Sequence, residues 1–267
     1  MAPRYVVHRG GAALWPENSL LAFRSALALN ARLLELDVHL TADGEVAVIH
    51  DATLDRTTDG SGPVATRSAA DLRRLRLRGP DGAWTDEWVP TLGEVLALAA
   101  PTGVMLLVEI KTPGPAVSYE RLGSRVTARP GPRYPGLEKK VVDALSTVGM
   151  ARRALVMAFN PAVLEEIRSL AADQPTALLV DRHHLESAAV PAVETVALAS
   201  GAGASFLGLH YTLCDAEVVA AARAAGVALG VFTVNDEATM RGLSAMGVDV
   251  IISDRADLVA RLEEGPR

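Results

Sequence analysis

Cysteine is almost missing. Cys214 is the only one in 267 residues, so no disulfide can form within the chain. This fits a reducing compartment. Long apolar runs are missing too, and none reaches the length needed to cross a membrane. Basic residues are not in excess: 26 Lys and Arg stand against 32 Asp and Glu, for a net charge of -6. Nothing in that balance suits a nucleic-acid surface. The one basic patch, Arg73-Arg74-Leu75-Arg76-Leu77-Arg78, reads as a solvated helix face. No glycine-rich dinucleotide fingerprint follows the first strand, and no repeat or second domain is visible. A signal peptide has no room before a strand that starts at Arg4, so a cytoplasmic location is expected.

Hydrophobic residues make up 49% and charged ones 22%, the balance of a folded chain. The length suits one large domain over residues 1–267. Short β-like runs alternate with helical patterns, which predicts parallel strands with crossover helices. The strands are expected at Arg4–His8, Arg32–Val38, Val104–Ile110, Ala154–Phe159, Thr176–Val180, Ser205–His210, Val227–Val234 and Val248–Ile252. Helices are expected at Leu20–Leu29, Leu92–Ala100, Leu137–Val148, Pro161 to about Ala172, within Leu185–Ala199, and at Ala216–Ala225. Two more follow Asn235 or Asp236 and Ser253-Asp254. Eight strands and eight helices predict an α/β fold, the (β/α)8 TIM barrel, with an open doubly wound sheet as the alternative.

Two stretches depart from the alternation. Asp43-Gly44 predicts a tight turn, so Val46–Ile49 folds back as a hairpin extending strand 2 and ends on His50-Asp51. Residues 52–90 then read as a small insertion, with Ser68–Leu77 helical and Trp84 and Trp88 in a small core. Thr112–Gly136 reads as a long Pro/Gly-rich loop.

Glu35 and Asp37 sit two apart in an apolar strand, so they share a face. Buried like charges need a cation between them. In a barrel of this class the chemistry sits at the C-terminal strand ends. His8 and Arg9, Glu35 and Asp37, Glu109 and Lys111, His210 and Thr233 occupy those ends, and His50 returns over the rim. Glu35, Asp37 and Glu109 are hard oxygen ligands for one divalent cation, Mg²⁺ or Ca²⁺, with Mn²⁺ a further candidate. Arg9 and Lys111 beside that cation suit a phosphate group. Arg9 follows His8 directly, so its side chain must start on the opposite face and curl inward past Gly10. His8 and His50 can flank the phosphate as an acid–base pair. Plainer readings exist for single members: Glu109–Lys111 as a structural ion pair, Arg9 as a helix-end partner, His50-Asp51 as an ordinary hairpin end. His210 divides between pocket and structure. His183-His184 reads as a solvated loop, and His39 is expected to face away from the carboxylates.

The motifs His8-Arg9-Gly10, Pro16-Glu17-Asn18-Ser19, Glu35-Leu36-Asp37-Val38, His50-Asp51, Leu54-Asp55-Arg56-Thr57-Thr58 and Glu109-Ile110-Lys111 occur in the order seen in the glycerophosphodiester phosphodiesterases. Phe232-Thr233-Val234-Asn235 and Gly247–Asp254 fit as well. The chain resembles that family densely before Lys111 and thinly from Thr112 to Leu229. The resemblance implies a TIM barrel that hydrolyses glycerophosphodiesters to sn-glycerol 3-phosphate and an alcohol. It implies Glu35, Asp37 and Glu109 as metal ligands, His8 and His50 as the acid–base pair, and Arg9 and Lys111 as phosphate-binding cations. Ser19 replaces the usual Thr and keeps its hydroxyl. Phe232 replaces the usual Trp and loses the indole donor, which bears on substrate preference at a binding position. The expected partner is a small phosphodiester, with no nucleic acid and no stable membrane anchor; oligomeric state is not readable. Competing readings are a lysophospholipase D-like hydrolase on the same site and a non-catalytic phosphoester-binding barrel.

Overall fold

A computed structural model describes residues 3–123, 125–186 and 189–264. The strands are β1 (Arg4–Val7), β2 (Leu33–Leu40), β3 (Val46–Val48), β4 (Met105–Ile110), β5 (Val117–Leu122), β6 (Arg125–Pro130), β7 (Ala154–Ala158), β8 (Thr176–Val180), β9 (Phe206–His210), β10 (Ala228–Phe232) and β11 (Val250–Ser253). Eight of them run parallel in the order β1-β11-β10-β9-β8-β7-β4-β2, and β1 pairs with β2 to close the ring. The fold is the expected (β/α)8 barrel, and the open sheet is excluded by that closure.

Alternation along each strand makes two apolar layers. Inward residues such as Val6, Leu33, Leu107, Met157, Leu179 and Ile252 fill the lumen. Outward residues such as Leu34, Leu36, Val38, Leu106 and Val108 pack against the helices. Those helices start on local signals. Ser19 caps α1 (Leu20–Ala28) by accepting from the Ala22 amide. Thr91 and Glu94 form a reciprocal capping box on α3 (Leu92–Ala99), where α2 is the short Ala69–Leu72. The others are α4 (Leu137–Thr147), α5 (Pro161–Leu170), α6 (Arg182–Glu186), α7 (Glu194–Gly201), α8 (Ala216–Ala225), α9 (Glu237–Met246, capped by Asp236) and α10 (Ala256–Glu264).

Several expectations are corrected. The Thr112–Gly136 loop contains an antiparallel hairpin, β5 on β6. Its alternation, Val117, Tyr119 inward and Ser118, Glu120 outward, lies between Pro/Gly clusters that mask it. His183-His184 lies in α6 rather than a loop. Of the helix expected within Leu185–Ala199, α6 holds Leu185 and Glu186, residues 187–188 lie outside the described residues, and α7 begins only at Glu194. In the insertion only Ala69–Leu72 is α-helical. Its core is Leu54, Val64, Leu72, Leu77 and Val89 against Ala47 and Ile49 of the hairpin. The tryptophans lie outside that core. Trp84 is 39% exposed and carries Arg78 over its ring at 4.6 Å, and Trp88 carries Arg73 at 5.1 Å. The basic patch is at the surface, but it follows α2 instead of forming a helix face, and Arg73, Arg76 and Arg78 stack on indoles.

Candidate active site

Two cavities open into the barrel. The larger, about 450 Å³, lies at the N-terminal strand ends and is lined mainly by apolar residues. The smaller, about 240 Å³, lies at the C-terminal ends, and there the titratable side chains converge. His8, Arg9, Glu35, His50, Glu109 and Lys111 all line it, together with His210, Phe232 and Thr233. Asp37 is fully buried immediately behind them and touches both Arg9 and Lys111. All eight residues singled out from the sequence therefore meet at one end of the barrel.

The backbone after β1 makes this possible. Arg9 adopts left-handed angles (φ 51°, ψ 31°), which turns its side chain back inward as its position required. Gly10 follows at φ 78°, and a Cβ there would meet Ala22 Cβ at 2.8 Å, so α1 seats against a glycine. The Arg9 amide donates to Glu35 Oε2 at 3.0 Å. Its guanidinium lies 3.2 Å from Asp37 Oδ2 and 3.0 Å from Glu17 Oε1. Asn18 Nδ2 donates to Asp37 Oδ2 at 2.9 Å, and Lys111 Nζ lies 3.0 Å from Asp37 Oδ1 and 2.5 Å from Glu109 Oε1.

Glu35, Asp37 and Glu109 are all buried, and one oxygen of each lies within 4.8 Å of the others. Burial pushes the Glu35 carboxyl well above the usual carboxylate range, and Asp37 and Glu109 push it further. Burial works the same way on Asp37, but Lys111 and Arg9 outweigh it and hold that carboxyl well below the usual range. Glu35 Oε1 is buried without a hydrogen-bond partner. A buried acceptor of this kind needs a compensating group. Three hard oxygen donors, one of them with an orphaned oxygen, fit a divalent cation.

Both histidines are aimed by carboxylates. His8 Nδ1 lies 2.6 Å from Asp254 Oδ1, and His50 Nδ1 lies 2.6 Å from Asp51 Oδ1. An ionised carboxylate only accepts, so Nδ1 carries the hydrogen in each ring and Nε2 is left for the cavity. His8 Nε2 stands 3.7 Å from Glu35 Oε2. Asn235 donates to Asp254 Oδ2 at 2.7 Å, and Arg56 joins Asp51 to Glu17 through four short contacts. His39 is a correction. It lies on the strand parity of Glu35 and Asp37, is buried, and meets the His50 carbonyl through Nε2 at 3.0 Å and Tyr134 through Nδ1 at 2.9 Å. Burial lowers its pKa to about 4.

Sequence reasoning passed over Asp254, Glu17, Asn18, Phe159 and Asp181. Asp254, Phe159 and Asp181 follow the rule that found Glu109: each stands two residues beyond an inward apolar residue, namely Ile252, Met157 and Leu179.

A model of the glycerophosphoryl diester phosphodiesterase family matches residues 8–258. The chain belongs to that family. A glycerophosphodiester phosphodiesterase of Caldanaerobacter subterraneus subsp. tengcongensis is 30% identical over 258 residues, covering 96% of each chain. One of Bacillus subtilis (strain 168) is 28% identical over 273 residues, covering 97% of this chain and 86% of that one. The crystal structure of a glycerophosphodiester phosphodiesterase from Agrobacterium tumefaciens superposes with a TM-score of 0.75 at 27% identity, covering 97% and 99%. As a family member the protein is a phosphoric diester hydrolase, and its activity is glycerophosphodiester hydrolysis. No helix among the described residues is long and apolar enough to cross a membrane.

Proposed function

We propose that the protein cleaves glycerophosphodiesters to sn-glycerol 3-phosphate and an alcohol, with one divalent cation on Glu35, Asp37 and Glu109 and with His8 and His50 as the acid–base pair. The carrying observation is the group of three buried carboxylates, with Glu35 Oε1 unpartnered, beside two histidines that each spend Nδ1 on a carboxylate. Bound there, Mg²⁺, Ca²⁺ or Mn²⁺ supplies Lewis-acid stabilisation of charge on the phosphate.

The side chains divide the remaining work. Arg9 and Lys111 hold the phosphate from the two sides of Asp37, and both stay cationic because neighbouring carboxylates outweigh the cost of their burial. One histidine takes through Nε2 the proton of the nucleophile, which is water or the substrate's own 2-hydroxyl, the latter giving a cyclic phosphate that water then opens. The other gives a proton to the departing alkoxide as its P–O bond breaks. Asp254 and Asp51 hold the two rings in the tautomer this exchange needs. Phe232 lines the cavity as an apolar wall for substrate. No described residue of 52–90 lines it, so nothing there favours lysophospholipid substrates. The reading includes a single domain over residues 1–267 and a cytoplasmic setting, the latter supported by the lone, half-buried Cys214.

The test is release of glycerol 3-phosphate from glycerophosphocholine by protein stripped with chelator and then given Mg²⁺, Ca²⁺ or Mn²⁺. Restoration by one ion is expected. Full activity after stripping would remove the cation from the reading, and no activity with any ion would remove the hydrolysis.

A further inference from the structure

The hydrolytic reading leaves one carboxylate without a task. Asp181 lines the catalytic cavity, yet it belongs to no metal group and touches neither histidine of the acid–base pair. A negative charge in a mouth that receives a phosphodiester repels the substrate unless the substrate also carries a cation. Asp181 stands just past β8, and its neighbours in the cavity are Phe159 after β7, His210 at the end of β9 and Phe232 at the end of β10. These four residues occupy consecutive positions around one half of the rim.

The rings there form walls at right angles. Phe159 and Phe232 have centroids 6.0 Å apart at 87°, and His210 and Phe232 lie 6.3 Å apart at 89°. Gly208, one inward position below His210, leaves room for Leu179 to form the floor beneath them: a Cβ there would meet Leu179 Cδ2 at 2.5 Å. Phe159 already receives one cation, with Lys111 Nζ 5.9 Å from its centroid. Aromatic faces beside a carboxylate are the chemistry that recognises an alkylammonium group.

We infer that this half of the rim binds a cationic group on the alcohol of the diester, an ammonium or quaternary ammonium, and that Asp181 sets that preference. The inference rests on the hydrolytic reading above. Asp181 also has a structural use, because its Oδ1 accepts from the His183 amide at 3.3 Å and pairs with His183 Nδ1 at 3.0 Å. Its Oδ2 has no partner among the described residues. Asparagine caps a helix as well as aspartate does, so Asp181→Asn removes the charge and keeps the cap.

The experiment compares kcat/KM for glycerophosphocholine with that for its neutral isostere, the 3,3-dimethylbutyl diester, which has carbon in place of nitrogen. The native protein is expected to prefer the choline diester by about tenfold, and Asp181→Asn to bring that ratio down to about twofold. Asp181→Glu is expected to restore part of it. A native ratio near one, or a ratio that Asp181→Asn leaves unmoved, overturns the ammonium assignment while the hydrolytic reading stands. Turnover of neither diester with Mg²⁺, Ca²⁺ or Mn²⁺ supplied overturns the hydrolytic reading itself and this inference with it.

Discussion

The two halves of the barrel mouth are built on different principles. On the side of β11, β1, β2 and β4 nearly every functional atom is charged and has several partners. Asp37 alone meets Arg9, Asn18 and Lys111. On the side of β7 to β10 the wall is aromatic, and ring contacts hold it with few hydrogen bonds. The first half suffers when a single atom is lost, because each buried charge is balanced by named neighbours. The second half can exchange one ring for another at the cost of packing alone. On the proposed reading, chemistry belongs to the half that tolerates least change and substrate choice to the half that tolerates more.

Substitutions ranked by expected effect sharpen that contrast. His8→Ala and His50→Ala are each expected to lower kcat by about 10³-fold, within the range of acid–base catalysis, with circular dichroism unchanged. A variant that keeps its rate would take that ring out of the reaction. Asp37→Ala strands Arg9, Lys111 and Asn18 around a buried vacancy. It is expected to cost about 3–5 kcal/mol in urea unfolding, and a loss under 1 kcal/mol would mean that the charged half is less interlocked than its contacts indicate. Asp254→Asn keeps the shape beside His8 but no longer holds its tautomer. Its kcat should fall roughly 10–100-fold while KM moves little, as steady-state kinetics would reveal.

The aromatic half should answer more softly. Phe232→Leu is expected to raise KM about fivefold, roughly 1 kcal/mol, with kcat nearly kept. If kcat collapsed instead, the division between the halves would fail. Each half holds a histidine that burial keeps neutral, His39 on β2 and His184 after β8. His184 packs on the rings of Phe159 and Tyr119, and burial lowers its pKa from 6.5 to about 4. The folded state therefore favours the neutral ring, and the unfolded chain binds the extra proton between those two values. Stability from His184 is complete above about pH 6.5 and declines as the pH falls to 4. Partial exposure limits the effect to about 1 kcal/mol. His184→Asn should flatten that part of a Tm-against-pH curve, and an unaltered curve would assign the acid sensitivity elsewhere.

The same contrast decides what could be read from sequence. Glu35, Asp37, Glu109 and Lys111 were legible because charges stand out inside apolar runs, and their spacing of two puts each pair on one face of its strand. The hairpin that carries His50 was legible from Asp43-Gly44. Asp254 escaped because its partner is His8, at the other end of the chain, and no local pattern connects them. Phe159 and Asp181 escaped because one residue past a strand a Phe or an Asp looks like ordinary wall or cap. The strands β5 and β6 escaped because Pro and Gly bracket an alternation that is half charged. Trp84 and Trp88 were misplaced: Trp84 is exposed and Trp88 half-buried, and each carries an arginine over its ring outside the small core.

The pairing of His8 with Asp254 spans 246 positions and depends on β11 lying beside β1. During synthesis the ribosome therefore delivers His8 long before Asp254. The three buried carboxylates, Arg9, Lys111 and His50 all precede residue 112, long before His8 has its carboxylate. The finished reaction centre therefore appears late and at once, when the last strand docks. A nascent or prematurely terminated chain carries most of the parts and lacks the one that aims His8.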